Sequence, residues 1–211
     1  MSVKKLDIDI DHDRLLAEYI EHNWQQSLID IQHTSTVLNQ ISLQKTVDCS
    51  IETERFDSCG SLMYDWDSHD STDPNSKPQL RKNVRREADF NILCSEFKGT
   101  YLGEVVELLH KEYNAVRGRM MALDWKTCLT IHRDSTQRIH IPIVTDENCM
   151  MLIDDKVHRL SSGNTYLTDT TKPHTAFNAS KIYRTHLVFC TDMFKGPRKQ
   201  LPWELVDLAI G

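Results

Sequence analysis

The chain has 211 residues, 39% apolar and 27% charged, with 7 glycines and 6 prolines, which excludes a collagenous or low-complexity chain and makes one globular domain over 1–211 the default. The balance of 25 Lys+Arg against 31 Asp+Glu, net −6, offers no cationic field to a nucleic acid or an anionic membrane. Six cysteines at 49, 59, 94, 128, 149 and 190 form no CxxC pair, and no apolar run has the length of a signal or a membrane span, so reduced thiols in a cytoplasmic protein are expected.

In chain order, Leu15, Leu16, Tyr19 and Ile20 mark a short amphipathic helix over Asp13 to Ile20, with Asp11 or Asp13 as N-cap. From Trp24 to Thr46 polar and β-branched residues mix, and the pattern leaves helix and strand open. Asp65 to Pro78 is dense in Asp, Ser, Asn and Pro and reads as a loop. Lys77, Arg81, Lys82, Arg85 and Arg86 follow. They form either a solvated face balancing the acidic loop or the basic half of a lid, residues 65–87, that brings cations to an anionic substrate. Leu102, Val105, Val106 and Leu109, behind Thr100, predict a helix between Gly99 and Tyr113 that packs on a sheet.

From Val116 the character changes. RGRMMAL, KTCLTIHRD, QRIHIPIVT, CMMLID, KVHRL, NTYLTD, HTAFN and IYRTHLVFCT are eight candidate strands separated by short turns, the spacing of an antiparallel sandwich or barrel. Ser161-Ser162-Gly163-Asn164 reads as a hairpin turn, and PWELVDLAIG closes the chain as a short amphipathic tail. The expected architecture is mainly β: an α-rich support over residues 1–113 and a jelly-roll over 114–195.

On an extended strand, the side chains of His132 and Asp134 leave the same face and can converge on one ion. His174, forty residues past Asp134, can return on a neighbouring strand. Two imidazoles and one carboxylate make the facial triad of non-haem Fe(II), although a surface strand would also carry such an H-x-D pair. Alternation places Arg184 and His186 on one face of their strand, and Arg138 and His140 on one face of theirs. A sandwich could show these faces to water; a binding pocket would use the planar guanidinium to hold a carboxylate bidentately.

The run HRDSTQRIHIPIVTDENCMML followed by LSSGNTYLTDTTKPHTAFNASKIYRTHLVF resembles the aspartyl/asparaginyl β-hydroxylase-like family of Fe(II)/2-oxoglutarate dioxygenases, which includes cis-type proline hydroxylases. Its parts occur in order over residues 115 to 192: H-x-D, R-x-H-x-P, a Gly turn, Asp169 five before His174 and Arg184 ten after it. The resemblance implies a double-stranded β-helix with iron on His132, Asp134 and His174. It also implies 2-oxoglutarate held by Arg184, helped by Arg138 and His140, with His186 beside them, and Asp169 orienting His174 or closing a turn. Relatives that hydroxylate protein Asp or Asn lack the carboxylate ligand, so Asp134 leans away from those substrates. A small polar substrate, most plausibly a free amino acid, is expected with O2 and 2-oxoglutarate. The alternatives are a hydroxylase of Asp, Asn or Pro residues in a peptide or protein, and a non-enzymatic cupin-like sensor of a metal or carboxylate.

Overall fold

The computed structural model describes residues 2–34, 39–65 and 76–191. The chain opens with β1 (Val3–Leu6), followed by α1 (His12–Glu21) and α2 (Trp24–Thr34). The Asp11 side chain caps α1 by accepting from the Arg14 amide at 2.9 Å. Leu15 and Tyr19 face inward, whereas Ile20, expected on the same stripe, is exposed. Where the periodicity was ambiguous, α2 is placed by Trp24, Leu28 and Ile31, a buried i, i+4, i+7 stripe.

The next strands are short: β2 (Gln40–Ser42), β3 (Gln44–Lys45), β4 (Tyr64–Asp65), β5 (Gln79–Leu80) and β6 (Ile92–Leu93). Helix α3 (Tyr101–Tyr113) is the one expected, capped by Thr100 Oγ1 accepting from the Gly103 amide at 3.0 Å and ended by Asn114 at φ 50°. The expectation of an α-rich N-terminal half is corrected: among its described residues, three α-helices and three single-turn 3-10 helices share the region with six short strands. Two of these, β1 and β2, join the sheet described next because their unpaired backbones find its two edges.

The eight expected strands all form: β7 (Val116–Leu123), β8 (Thr127–Cys128), β9 (Gln137–Val144), β10 (Cys149–Ile153), β11 (Lys156–Arg159), β12 (Thr165–Thr168), β13 (His174–Asn178) and β14 (Arg184–Thr191). They make a six-stranded sheet, β1-β12-β9-β14-β7-β2, and a four-stranded sheet, β11-β10-β13-β8, antiparallel throughout. Except at the β10–β11 hairpin, each successive strand from β7 to β14 changes sheet, which is the winding of a double-stranded β-helix. That hairpin turns on Asp154 and Asp155, at φ 51° and 62°. The Ser161–Asn164 turn, expected to close a hairpin, instead carries the chain from β11 in the small sheet to β12 in the large one. Gly163 does take the left-handed φ of 75° that the turn needs.

Helices pack on the outer face of the large sheet, where Leu15, Leu28, Phe97 and Leu109 meet Ile139, Ile141, Leu187 and Phe189. Between the sheets the apolar set is small, Leu123, Met151, Ile153, Leu160 and Ala176. Polar side chains occupy much of the rest of the inner face. No helix among the described residues is long and apolar enough to cross a membrane. The expected C-terminal tail lies outside the described residues.

Strand β7 carries a bulge against β14 between Val188 and Cys190, and Arg117 sits in it at φ 51°. A bulge of this kind re-aims the side chains beside it. Next to it, a Cβ on Gly118 would lie 2.5 Å from a Phe189 ring carbon. Gly118→Ala is therefore expected to lower stability by about 1–3 kcal/mol through overpacking, read as a lower midpoint in urea unfolding.

Candidate metal centre

His132 is not on a regular strand, as its spacing suggested, but at an isolated antiparallel bridge to His174. The two residues exchange backbone hydrogen bonds, His132 N to His174 O at 3.0 Å and His174 N to His132 O at 2.9 Å. Two residues on, the Asp134 amide donates to Thr170 O at 2.8 Å. The ligand segment is thus clamped onto the start of β13, and one ligand atom each from His132, Asp134 and His174 lie within 4.8 Å of one another.

Local hydrogen bonds set the imidazole tautomers. His132 Nδ1–H donates to Thr130 O at 2.7 Å, and His174 Nδ1–H to Lys172 O at 3.1 Å. Each ring is left with an Nε2 lone pair as its acceptor. His174 Nε2 is 3.6 Å from Asp134 Oδ2. Burial lowers the His174 pKa, outweighing the opposing pull of Asp134, so the ring is neutral near pH 7, as a ligand must be. Burial pushes the Asp134 carboxyl up, but Arg138 and then the two histidines offset this and hold it below the ordinary value. Asp169 closes the turn before His174, its Oδ1 accepting from Thr171 Oγ1 and its carbonyl from the Lys172 amide.

Arg138, expected on the co-substrate, is engaged by two carboxylates: Nη2 is 3.0 Å from Asp134 Oδ1 and 2.8 Å from Glu87 Oε1. Glu87 is a buried residue that sequence reasoning missed. It also meets Arg117 Nη1 at 3.4 Å and accepts from Thr136 Oγ1 at 2.6 Å. Burial raises its pKa, but Arg138, Thr136 and Arg117 together bring it down to about 2. Since the ordinary value is 4.5, this carboxylate contributes about 3 kcal/mol of stability above that pH, lost as pH falls through about 2. Glu87→Gln is expected to flatten the acid limb of stability between pH 4.5 and 2, measured by urea unfolding at each pH.

Arg184, His186 and His140 are buried together on the inner face of the large sheet, not shown to water. Arg184 Nη2 donates to His186 Nδ1 at 2.9 Å, and His140 Nδ1 lies 3.4 Å from that same nitrogen. Burial, and then Arg184, keep both histidines neutral. His186 Nδ1 accepts, so its proton sits on Nε2, while His140 donates from Nδ1 and keeps a lone pair on Nε2. Both Nε2 atoms are buried with no hydrogen-bond partner. Burial lowers the Arg184 pKa to about 10, still charged at neutral pH.

The model of the family described as aspartyl/asparaginyl beta-hydroxylase matches residues 88–193, half of the chain. The chain belongs to this family. L-proline cis-4-hydroxylase of Rhizobium meliloti (strain 1021) is 30% identical over 95 residues, 42% of this chain and 34% of that one. The chain thus spans about a third of the length of the curated relative it matches. Among solved structures, an oxidoreductase of the 2OG-Fe(II) oxygenase family from Burkholderia pseudomallei aligns at TM-score 0.36 and 16% identity, covering 58% of this chain and 64% of that one. A cupin-2 domain protein from Shewanella frigidimarina aligns at TM-score 0.29 and 12% identity, over 36% and 69% of the two chains.

The family region holds His132, Asp134, Arg138, His140, His174, Arg184 and His186, while Glu87 stands one residue before its start. Three arginines of the basic run ahead of Glu87 pair outside the site. Arg85 pairs with Asp57, Arg86 with Asp89 at 2.6 Å and Arg81 with Asp65 at 4.0 Å. Each of these three arginines thus faces a neighbouring carboxylate. Residues 66–75 of the supposed lid lie outside the described residues.

Proposed function

We propose that the chain is an Fe(II)/2-oxoglutarate-dependent hydroxylase of a small substrate, with a free amino acid as the substrate class. One observation carries this reading. Two imidazoles and a carboxylate converge within 4.8 Å in a β-helix whose interior also holds Arg184 with no carboxylate partner among the described residues. That donor set fits six-coordinate Fe(II) with positions left open, and the buried unpartnered Nε2 atoms of His140 and His186 mark a place for a polar guest beside it. Family membership and the likeness to a proline hydroxylase support the same reading.

Iron(II) bound there, with 2-oxoglutarate and dioxygen, supplies the oxidation of an unactivated C–H bond to an alcohol, with release of succinate and carbon dioxide. The residues of the chain bind and orient. His132, Asp134 and His174 hold the ion, and the carbonyls of Thr130 and Lys172 fix their two rings. Arg138, balanced by Glu87, anchors the oxygen of Asp134 that faces away from His174, leaving Oδ2 for the ion. Arg184 takes the distal carboxylate of 2-oxoglutarate as a buried bidentate pair, and His186, accepting from Arg184 Nη2 through Nδ1, holds the guanidinium in place. Arg138 is reassigned from the co-substrate to Asp134, because its charge is already met. Succinate formation from 2-oxoglutarate with Fe(II), across free amino acids and peptides, tests this. Stimulation by a free amino acid is expected; coupled turnover with peptides or proteins alone would reject the small substrate.

A further inference from the structure

We infer that Arg119 and Gln40 form a second anion subsite inside the β-helix, which takes the carboxylate of the substrate and restricts turnover to small molecules that carry one. This deepens the reading above and rests on it. Arg119 pairs in register with Val188, and Val188 with His140 on its other side. Residues paired in register point to one side of a sheet, so Arg119 shares the inner face with His140 and, one strand repeat along, His186.

Arg119 is only 6% exposed, yet no carboxylate among the described residues pairs with it. Its Nε is buried without a partner. Nη1 donates to Gln40 Oε1 at 3.3 Å, an oxygen that also accepts from the Gly60 amide at 3.3 Å. A neutral amide positions the guanidinium without neutralising it, and Gln40 keeps its own NH2 as a further donor. Of the four buried arginines on or beside this face, Arg117 and Arg138 share Glu87, and Arg138 also has Asp134. Arg184 and Arg119 are left, and a buried cation with no anion is strongly unfavourable.

The two cations are set for different molecules. Arg184 pairs with Leu123 on β7, four residues from Arg119, or about 13 Å along the strand. With the co-substrate on Arg184, Arg119 awaits an anion of another guest. A carboxylate suits it, because the fork of Nε and Nη donors matches its two oxygens.

The test uses the full chain with Fe(II) and 2-oxoglutarate, each free amino acid against its C-terminal amide, and calorimetric binding of 2-oxoglutarate to the Mn(II)-loaded protein. The amide of the best substrate is expected to be poorer by about 100-fold, and Arg119→Gln to raise the substrate KM by a similar factor while 2-oxoglutarate affinity stays put. Arg119→Lys should recover part of it. Gln40→Glu, which sets an internal anion against Arg119, should mimic Arg119→Gln even if that variant folds poorly. Equal turnover of acid and amide would overturn the inference. So would an Arg119→Gln effect falling on 2-oxoglutarate alone, or no response to any carboxylate-bearing compound by a protein that binds 2-oxoglutarate. A wild type that binds no 2-oxoglutarate would remove the functional reading, and the subsite with it.

Discussion

His174→Ala is expected to abolish turnover and to weaken Mn(II) or Fe(II) binding by a factor on the order of 10³, about a third of the free energy of a full ligand set. The ring presents Nε2 beside Asp134 and sits directly across a backbone bridge from His132. Its removal leaves one imidazole and one carboxylate, too few to fix an ion with open positions. The backbone bridge does not need the side chain, so the metal-free variant should keep most of its melting temperature. His132→Ala should behave alike. Asp134→Ala should hurt less, because two imidazoles remain and Arg138 keeps Glu87 as its counter-ion. Equilibrium dialysis with Mn(II) and a metal-free thermal melt check all three, and full metal occupancy in His174→Ala would show the triad to be misassigned.

Arg184→Ala should raise the KM for 2-oxoglutarate by about 150-fold, the loss of a buried pair worth roughly 3 kcal/mol. The guanidinium is buried with His186 Nδ1 as its hydrogen-bond partner and remains charged, its pKa lowered only to about 10. Arg184→Lys should recover part of the loss, since an ammonium cannot present a planar fork. Steady-state kinetics with varied 2-oxoglutarate separates this from a substrate effect. An unchanged KM would move the co-substrate elsewhere in the barrel.

Strands β7 to β14, α1 and α3 were legible because each leaves a local trace, as do the faces and spacings that group the candidate residues. Alternation marks Arg184 and His186, and short spacing marks His132 and Asp134. The turn at Gly163 was legible, but its partner strand was not: left-handed backbone is a local property, while the choice between hairpin and crossover depends on which sheet each strand joins. Glu87 and Arg119 were missed for a related reason. Glu87 ends the run KNVRRE, which by composition is a solvated face, and it becomes a buried counter-ion only because β9 brings Arg138 to it across 51 residues. Arg119 lies in RGRMMAL, where alternation supplies a face but not what covers it. A buried charge is recognised by its partners, and those are tertiary. In α2, by contrast, the Trp24, Leu28 and Ile31 stripe was there to be read.

The most direct measurement of the central claim is turnover under 18O2 with Fe(II), 2-oxoglutarate and a panel of free amino acids, with mass spectra of both products. One labelled oxygen is expected in succinate and one in the new hydroxyl group of a single amino acid, with neither formed by His174→Ala. Succinate without label, or label that survives in His174→Ala, would contradict it.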